Sequence, residues 1–254
     1  MIQVSIIGSG NVAQHLIIAL QNAKTIGTEI ELIQVFSRNK ESLSHLLPLE
    51  KIVSEIANLK AVDLVIIAIS DDAIASVSSQ LPFDNKLVVH TSGSVAMDQL
   101  ATKNRKGVFY PLQTFTKNKS IDFSLIPICL ESENATDYEV LQFVAEKISN
   151  SIFAINSEQR KALHVAAVFV NNFVNHLYSI GNEICAENKI SFDILKPLIQ
   201  ETAAKILTLA PLEAQTGPAK RNDLKTIHSH LNFIEDTNQK EIYKILTQSI
   251  QNNV

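Results

Sequence analysis

The sequence predicts an α/β protein: a doubly wound, mostly parallel Rossmann sheet at the N-terminus, followed by an all-helical domain. Three observations carry this. A strand, a tight glycine turn and a helix open the chain within its first twenty residues. Strand and helix patterns then alternate to about Asn156, and beyond it only helical patterns occur. The expected division is 1–156 for a dinucleotide-binding domain and 157–254 for a helical domain that dimerises and helps bind substrate.

Val4-Ser5-Ile6-Ile7 reads as a buried strand. It runs into Gly8-Ser9-Gly10-Asn11-Val12-Ala13, after which Val12, Leu16, Ala19 and Leu20 fall at helical spacing. A dinucleotide pyrophosphate needs this layout. Gly8 permits the sharp turn, Gly10 lets backbone approach the phosphates, and the helix start offers unpaired N–H groups to the charge. Gly8, Ser9, Gly10, Asn11 and Val12 are therefore cofactor-binding candidates, and Ala13 stands where a third glycine often sits. A glycine turn with no ligand would show the same pattern.

Ile30–Phe36 reads as the second strand. NAD enzymes usually end this strand with a carboxylate for the ribose 2′-hydroxyl. Here Phe36-Ser37-Arg38-Asn39 supplies a hydroxyl and a guanidinium instead. Arg38 can stack on adenine or pair with a 2′-phosphate, so the cofactor expected is NADP, with Ser37 and Arg38 in its site. A solvated loop arginine is the plain alternative.

Ser42–Leu47 suggests a short helix and Ile52-Val53 a minimal strand. Val62–Ile69 is the most apolar run, as a central parallel strand covered on both faces would be. It ends at Ser70-Asp71-Asp72, where Ser70 or Asp71 can cap the next helix. Lys86–His90 delivers Thr91-Ser92-Gly93-Ser94, and Gly107–Tyr110 delivers Pro111-Leu112-Gln113. Ligands of doubly wound sheets sit outside the carboxyl ends of strands. Ser70, Asp71, Thr91 and Ser92 are thus expected at the cofactor, and His90 and Gln113 at the substrate, although a lone histidine at a strand end such as His90 is more often structural. Ile126–Leu130 and Ile152–Ile155 are further strands around a helix at about Asp137–Ile148. Pro127 predicts that the first of these lies at a sheet edge.

From Ser157 one long helix is expected to about Glu187, and a second from Ser191 to Leu209, kinked or restarted near Pro197. A loop at 211–218 precedes helices near Leu224–Leu231 and Glu235–Ser249.

A formal net charge of −4 gives no reason to expect a nucleic-acid or membrane surface. Cys129 and Cys185 have neither metal spacing nor a disulfide framework. With strand one at the very start and no apolar run near the roughly 20 residues of a membrane span, a cytoplasmic protein is expected. No metal site is expected either: His228 and His230 stand two apart, on different helix faces.

Hydride transfer to a C–O or C–N centre requires a proton carrier near the heteroatom. His164, early in the long helix, shares a broad face with Asn171 and Asn172, and histidine titrates in the useful range. His164 and Asn172 are the catalytic candidates, although a core histidine in a helix interface fits equally. Ala166 and Ala167 would admit a second element closely. Arg221 can hold a substrate carboxylate, or pair with Asp223 at the next helix start. Asp122 and Asp193 read as surface or cap residues.

The glycine turn, Ser70–Ile74, His90–Ser94, Tyr110–Phe115, His164 with Asn172, and Thr216-Gly217-Pro218 through Arg221-Asn222-Asp223 occur in that order. Together they resemble Rossmann-like oxidoreductases whose C-terminal half is a domain of unknown function, DUF2520. That family is similar in architecture to pyrroline-5-carboxylate reductase and to F420-dependent NADP oxidoreductases. The resemblance implies an NADP-binding domain, a helical dimerisation domain and a cleft between them. It implies no substrate. Asn222 stands where the family usually has glycine, and Lys161 lacks the asparagine four residues on that β-hydroxyacid dehydrogenases carry. The expected function is NADP-dependent hydride transfer to or from an unidentified small metabolite. The alternative is an NADP(H)-binding sensor without turnover.

Overall fold

The computed structural model describes residues 1–25, 29–117 and 119–253. Eight strands form one sheet in the order β3-β2-β1-β4-β5-β6-β7-β8. They are β1 (Ile2–Ile7), β2 (Ile30–Phe36), β3 (Ile52–Val53), β4 (Leu64–Ile67), β5 (Leu87–His90), β6 (Arg105–Pro111), β7 (Ile128–Ser132) and β8 (Ile152–Ala154). All pairings are parallel except β6 with β7. The connection reverses direction between β1 and β4, which makes their carboxyl ends the topological switch point.

Helix α1 (Asn11–Thr25) covers one face, where Leu16, Ile17 and Leu20 are fully or almost fully buried with Val4, Ile6 and Ile66. Helix α3 (Ala135–Glu146) joins the same layer through Leu141, Val144 and Ala145. The opposite face is closed by Ile74 of α2 (Ile74–Ser79) with Ile7, Val65 and Ile67. β4 is buried at every residue, as its unbroken apolar run requires.

Pro127 does not mark an edge. It lies one residue before β7, which pairs on both sides, with β6 and β8; the edges are β3 and β8. The proline needs no ladder N–H there, and its carbonyl accepts from Leu112. Ser42–Leu47 holds only the end of a 3-10 turn, Lys40–Leu43. Ser70 occupies the cap position before the 3-10 turn Asp71–Ala73, but its side chain makes no cap bond.

The long helix expected from Ser157 is α4 (Ser157–Ala167), a π turn at Val168–Phe173, and α5 (Val174–Glu187). No Gly or Pro announces the π turn; it is built of Val, Phe and Asn, all middling helix formers. The compact units are Met1–Asn171 and Asn172–Val254, so α4 belongs with the sheet, beyond the division expected at 156.

The second unit contains α5, α6 (Lys196–Lys205), α7 (Pro211–Ala214), α8 (Leu224–Phe233) and α9 (Thr237–Asn252). Pro197 sits in the first turn of α6, where its missing N–H is harmless. Cys185 and Ile227 are buried, and Gln239 Nε2 donates to Glu183. Many large apolar side chains of this unit are exposed, among them Ile194, Leu198, Leu207, Phe233 and Ile245. Among the described residues no helix is long and apolar enough to cross a membrane.

Candidate functional site

A cleft of about 820 Å³ opens at the switch point, within the first unit. Gly8 to Val12 form one wall, and Phe36, Ser37 and Arg38 at the end of β2 form another. Ile69 and Ser70 after β4, and Thr91 after β5, complete the carboxyl edge. Gly8 has φ +131°, and a Cβ there would stand 2.1 Å from the Ala68 carbonyl oxygen, so only glycine fits. At Gly10 nothing lies within 4 Å of a would-be Cβ: the backbone borders open cleft. The first N–H groups of α1 have no intrahelical acceptors and begin at this wall.

Two contacts fix the turn. Gln14 Nε2 donates to the Ser9 carbonyl at 2.9 Å, and Asn11 Nδ2 to the Phe115 carbonyl at 2.8 Å. Ser37 is buried and donates to the Asn39 carbonyl at 2.7 Å. Arg38 is exposed, and its guanidinium has no hydrogen-bond or ion-pair partner among the described residues. No carboxylate lines the cleft among the described residues. Sequence reasoning missed Ile56, Ala73, Val77 and Gln80, which line it too. The signal available for the last three was their place after β4.

Asp71 and Ser92 do not reach the cleft lining. Asp71 is exposed in its 3-10 turn, while Ser92 is buried, its hydroxyl accepting from the N–H groups of Ser94 and Val95 at 3.1 and 3.0 Å.

His90 is 0 % exposed and is not on the cleft surface, which favours its structural reading over a place at the substrate. Its Nδ1 accepts from the Ser92 N–H at 3.2 Å. Burial lowers its pKa to about 4, helped by the Arg160 charge and opposed by the Ala96 backbone and Asp71. His90 is neutral at pH 7 and shapes the loop from inside.

His164, in α4, is half-buried, and its Nδ1 lies 3.1 Å from the Tyr110 hydroxyl. Gly93 presses on the pair: a Cβ there would meet Nδ1 at 2.5 Å. The loop after β5 thus joins the cleft at Thr91 to His164 at Gly93. Burial pushes the Tyr110 phenol up to about 12, with the neighbouring Cys129 adding to it. Helix α4 is set by a capping box between Asn156 and Gln159 and by buried Arg160, which pairs with Glu131 and donates to the Val95 carbonyl at 2.6 Å. Neither Tyr110 nor Arg160 stood out as a site residue from the sequence.

Asn171 ends the first unit and Asn172 begins the second; both are exposed and lie in the π turn. Gln113 is exposed, its Oε1 accepting from Thr114 N–H at 2.8 Å. Arg221, in the second unit, is exposed. Asp223 caps α8 by accepting from Thr226, which holds its carboxyl below the usual range. Asn222 has φ +52°, so the residue at the family's glycine position adopts the left-handed conformation that asparagine tolerates best among non-glycine residues. Asp122 caps a 3-10 turn, and exposed Asp193 pairs with Lys196.

The fold and the glycine-walled cleft define a Rossmann-type nucleotide-binding protein. Residues 3–93 match the family described as NADP oxidoreductase, coenzyme F420-dependent, and residues 126–250 match the domain of unknown function DUF2520. A Bacteroides fragilis protein provisionally named an NADP oxidoreductase is 35% identical, with 99% of this chain and 98% of that one covered and a TM-score of 0.87. The chain belongs to this family of Rossmann-like oxidoreductases with a C-terminal DUF2520 domain. A Thermotoga maritima protein is 20% identical over 98% of this chain and 97% of its own, with a TM-score of 0.74. A Plasmodium falciparum pyrroline carboxylate reductase with NADP bound is 14% identical over 98% of both chains, at a TM-score of 0.60. These last two share the fold. No curated protein matches.

Proposed function

We propose that this protein is an NADP(H)-dependent oxidoreductase acting on a small metabolite, with His164 carrying the proton at the reacting heteroatom. The observation that carries the reading is the cleft itself: a glycine turn at a helix start and, among the described residues, an arginine at the end of β2 without a partner and no lining carboxylate. Gly8 to Val12 would hold the pyrophosphate, with Gly10 giving the approach its missing side chain leaves open. Arg38 would read the 2′-phosphate, and Ile56 and Val77 would provide apolar contact for adenine. When bound, the cofactor supplies a hydride donor or acceptor. This chain supplies the position of His164, linked to the cleft through the Thr91–Gly93 loop.

Membership in the oxidoreductase family supports turnover over mere sensing. The test is a fluorescence titration with NADPH and NADH, followed by NADPH oxidation against a panel of imines and 2-oxo acids. Tight NADPH binding with turnover on one class is expected. Binding without oxidation of any substrate would favour a sensor, and equal affinity for both cofactors would remove the role given to Arg38.

A further inference from the structure

Tyr110 sits near the carboxyl end of β6, where its ring joins Val108 and Cys129 against Met97, Leu112 and Leu163. Its hydroxyl lies 3.1 Å from His164 Nδ1, with the rings edge-on at 67° and 6.2 Å between centroids. Gly93 closes the remaining side, since a Cβ there would be 2.5 Å from Nδ1 and 2.9 Å from Tyr110 Cζ. A strand, a loop and a helix therefore meet at one imidazole nitrogen.

Two proton arrangements fit that contact. If Tyr110 donates to Nδ1, its proton and the nitrogen lone pair are both satisfied, and neutral His164 keeps its proton on Nε2. If Nδ1 carries the proton instead, the tyrosine oxygen accepts, and the phenol proton has no acceptor among the described residues. A buried donor without a partner is the costlier state. The phenol is in its protonated form throughout the ordinary range, because burial raises its pKa to about 12.

We propose that Tyr110 is a positioning residue that holds neutral His164 as the Nε2–H tautomer, so that the substrate group meeting His164 is a hydrogen-bond acceptor. The fitting chemistry is a carbonyl oxygen or an unprotonated imine nitrogen. An ammonium group, which has only donors, does not fit. This rests on the reading of His164 as the residue at the reacting heteroatom: as Nε2–H passes its proton to that atom, Nδ1 takes the Tyr110 phenol proton in the same step, so no imidazolate forms, and solvent reprotonates the tyrosine oxygen. Gly93 contributes by leaving no side chain to come between the two rings or to turn the imidazole.

The test is long-range proton–nitrogen NMR of the cofactor-free protein, above the histidine titration range. His164 is assigned by the signals that vanish in His164→Asn. In the wild type, Nδ1 is expected as the bare nitrogen and Nε2 as the protonated one. Tyr110→Phe keeps the ring packing and removes the donor, so the Nδ1–H share should rise about fivefold, the equivalent of one ordinary hydrogen bond. A merely structural tyrosine would leave the ratio unmoved. A wild-type spectrum dominated by Nδ1–H, or a ratio unchanged in Tyr110→Phe, overturns the proposal. Neutral histidine favours Nε2–H even without a partner, so the change on removing the phenol decides; if the phenylalanine variant does not fold, Tyr110→Leu is read in its place with the same expected rise in Nδ1–H. Full turnover in His164→Asn would instead sink the functional reading, leaving the tautomer result standing.

Discussion

His90 makes the pH dependence of this fold calculable. Its side chain is fully buried, with Nδ1 accepting from the Ser92 N–H, and burial lowers its pKa from the ordinary 6.5 to about 4. The unfolded chain takes up a proton as pH falls through 6.5, whereas the folded protein resists until about 4. Stability is therefore complete above pH 6.5, falls between these values and levels off below. The loss amounts to about 3 kcal/mol, a large part of the 5–15 kcal/mol that typically holds a domain folded. Protonated Nδ1 could no longer accept from Ser92, so the loop carrying Thr91 and Gly93 would lose its inner support at the same time. His90→Asn keeps an acceptor near the Nδ1 position and removes the titration. Urea denaturation followed by circular dichroism, from about pH 7.5 to about pH 4, should show the wild type losing about 3 kcal/mol more than the variant. Other titrating groups cancel in that difference. Parallel pH curves for the two proteins would show that His90 titrates normally and would refute the reasoning.

Other outcomes follow from the cleft and the helices. Arg38→Ala should weaken NADPH binding by about 1.5–3 kcal/mol, the range for a charged hydrogen-bonding partner, with NADH almost unchanged in a fluorescence titration; equal loss for both would mean that Arg38 stacks on adenine. Gly8→Ala should lower the melting temperature and abolish cofactor binding, because its methyl would stand 2.1 Å from the Ala68 oxygen; a variant that melts and binds like wild type would deny the turn its tightness. His164→Ala should lower turnover about 10²- to 10⁴-fold with NADPH affinity kept within a factor of a few; loss of folding instead would make it a core histidine. The exposed Leu198, Leu207, Phe233 and Ile245 point to a homodimer through the helical unit, burying upward of about 2,000 Å² in total. Sedimentation of a stable monomer at micromolar concentration would exclude it.

The cleft at the switch point is legible in the sequence because its determinants are local. Gly8 and Gly10 stand in one turn, β1 and β4 are marked by apolar runs, and the switch point follows from their order. The partners of His164 were not legible. Tyr110 and Gly93 come from β6 and the loop after β5, so only the folded sheet brings them to α4. His90 shows the opposite limit: a strand-end histidine at the carboxyl edge reads as either structural or functional, and only the fold shows the next turn closing over it. Helical pattern also changes at Asn156 before the contacts do. Arg160, Leu163 and His164 still pack on the sheet's carboxyl edge, so α4 is helical in kind but part of the first unit.

That packing explains why a charge is buried at Arg160, which is 1 % exposed and whose Nε has no partner among the described residues. A buried ion pair adds little net stability over well-packed apolar residues, because two charges must leave water. What it adds is register. Arg160 lies one turn before His164 and pairs with Glu131 of β7. β7 is locked antiparallel to β6, with Glu131 opposite Val108 and Cys129 opposite Tyr110. The pair therefore fixes α4 against the same ladder that places the tyrosine. Its other guanidinium nitrogen donates to the Val95 carbonyl, which holds the loop bearing Gly93. One arginine thus ties down the helix, the strand pair and the loop that converge on His164 Nδ1, and the 3.1 Å contact there is the geometric result.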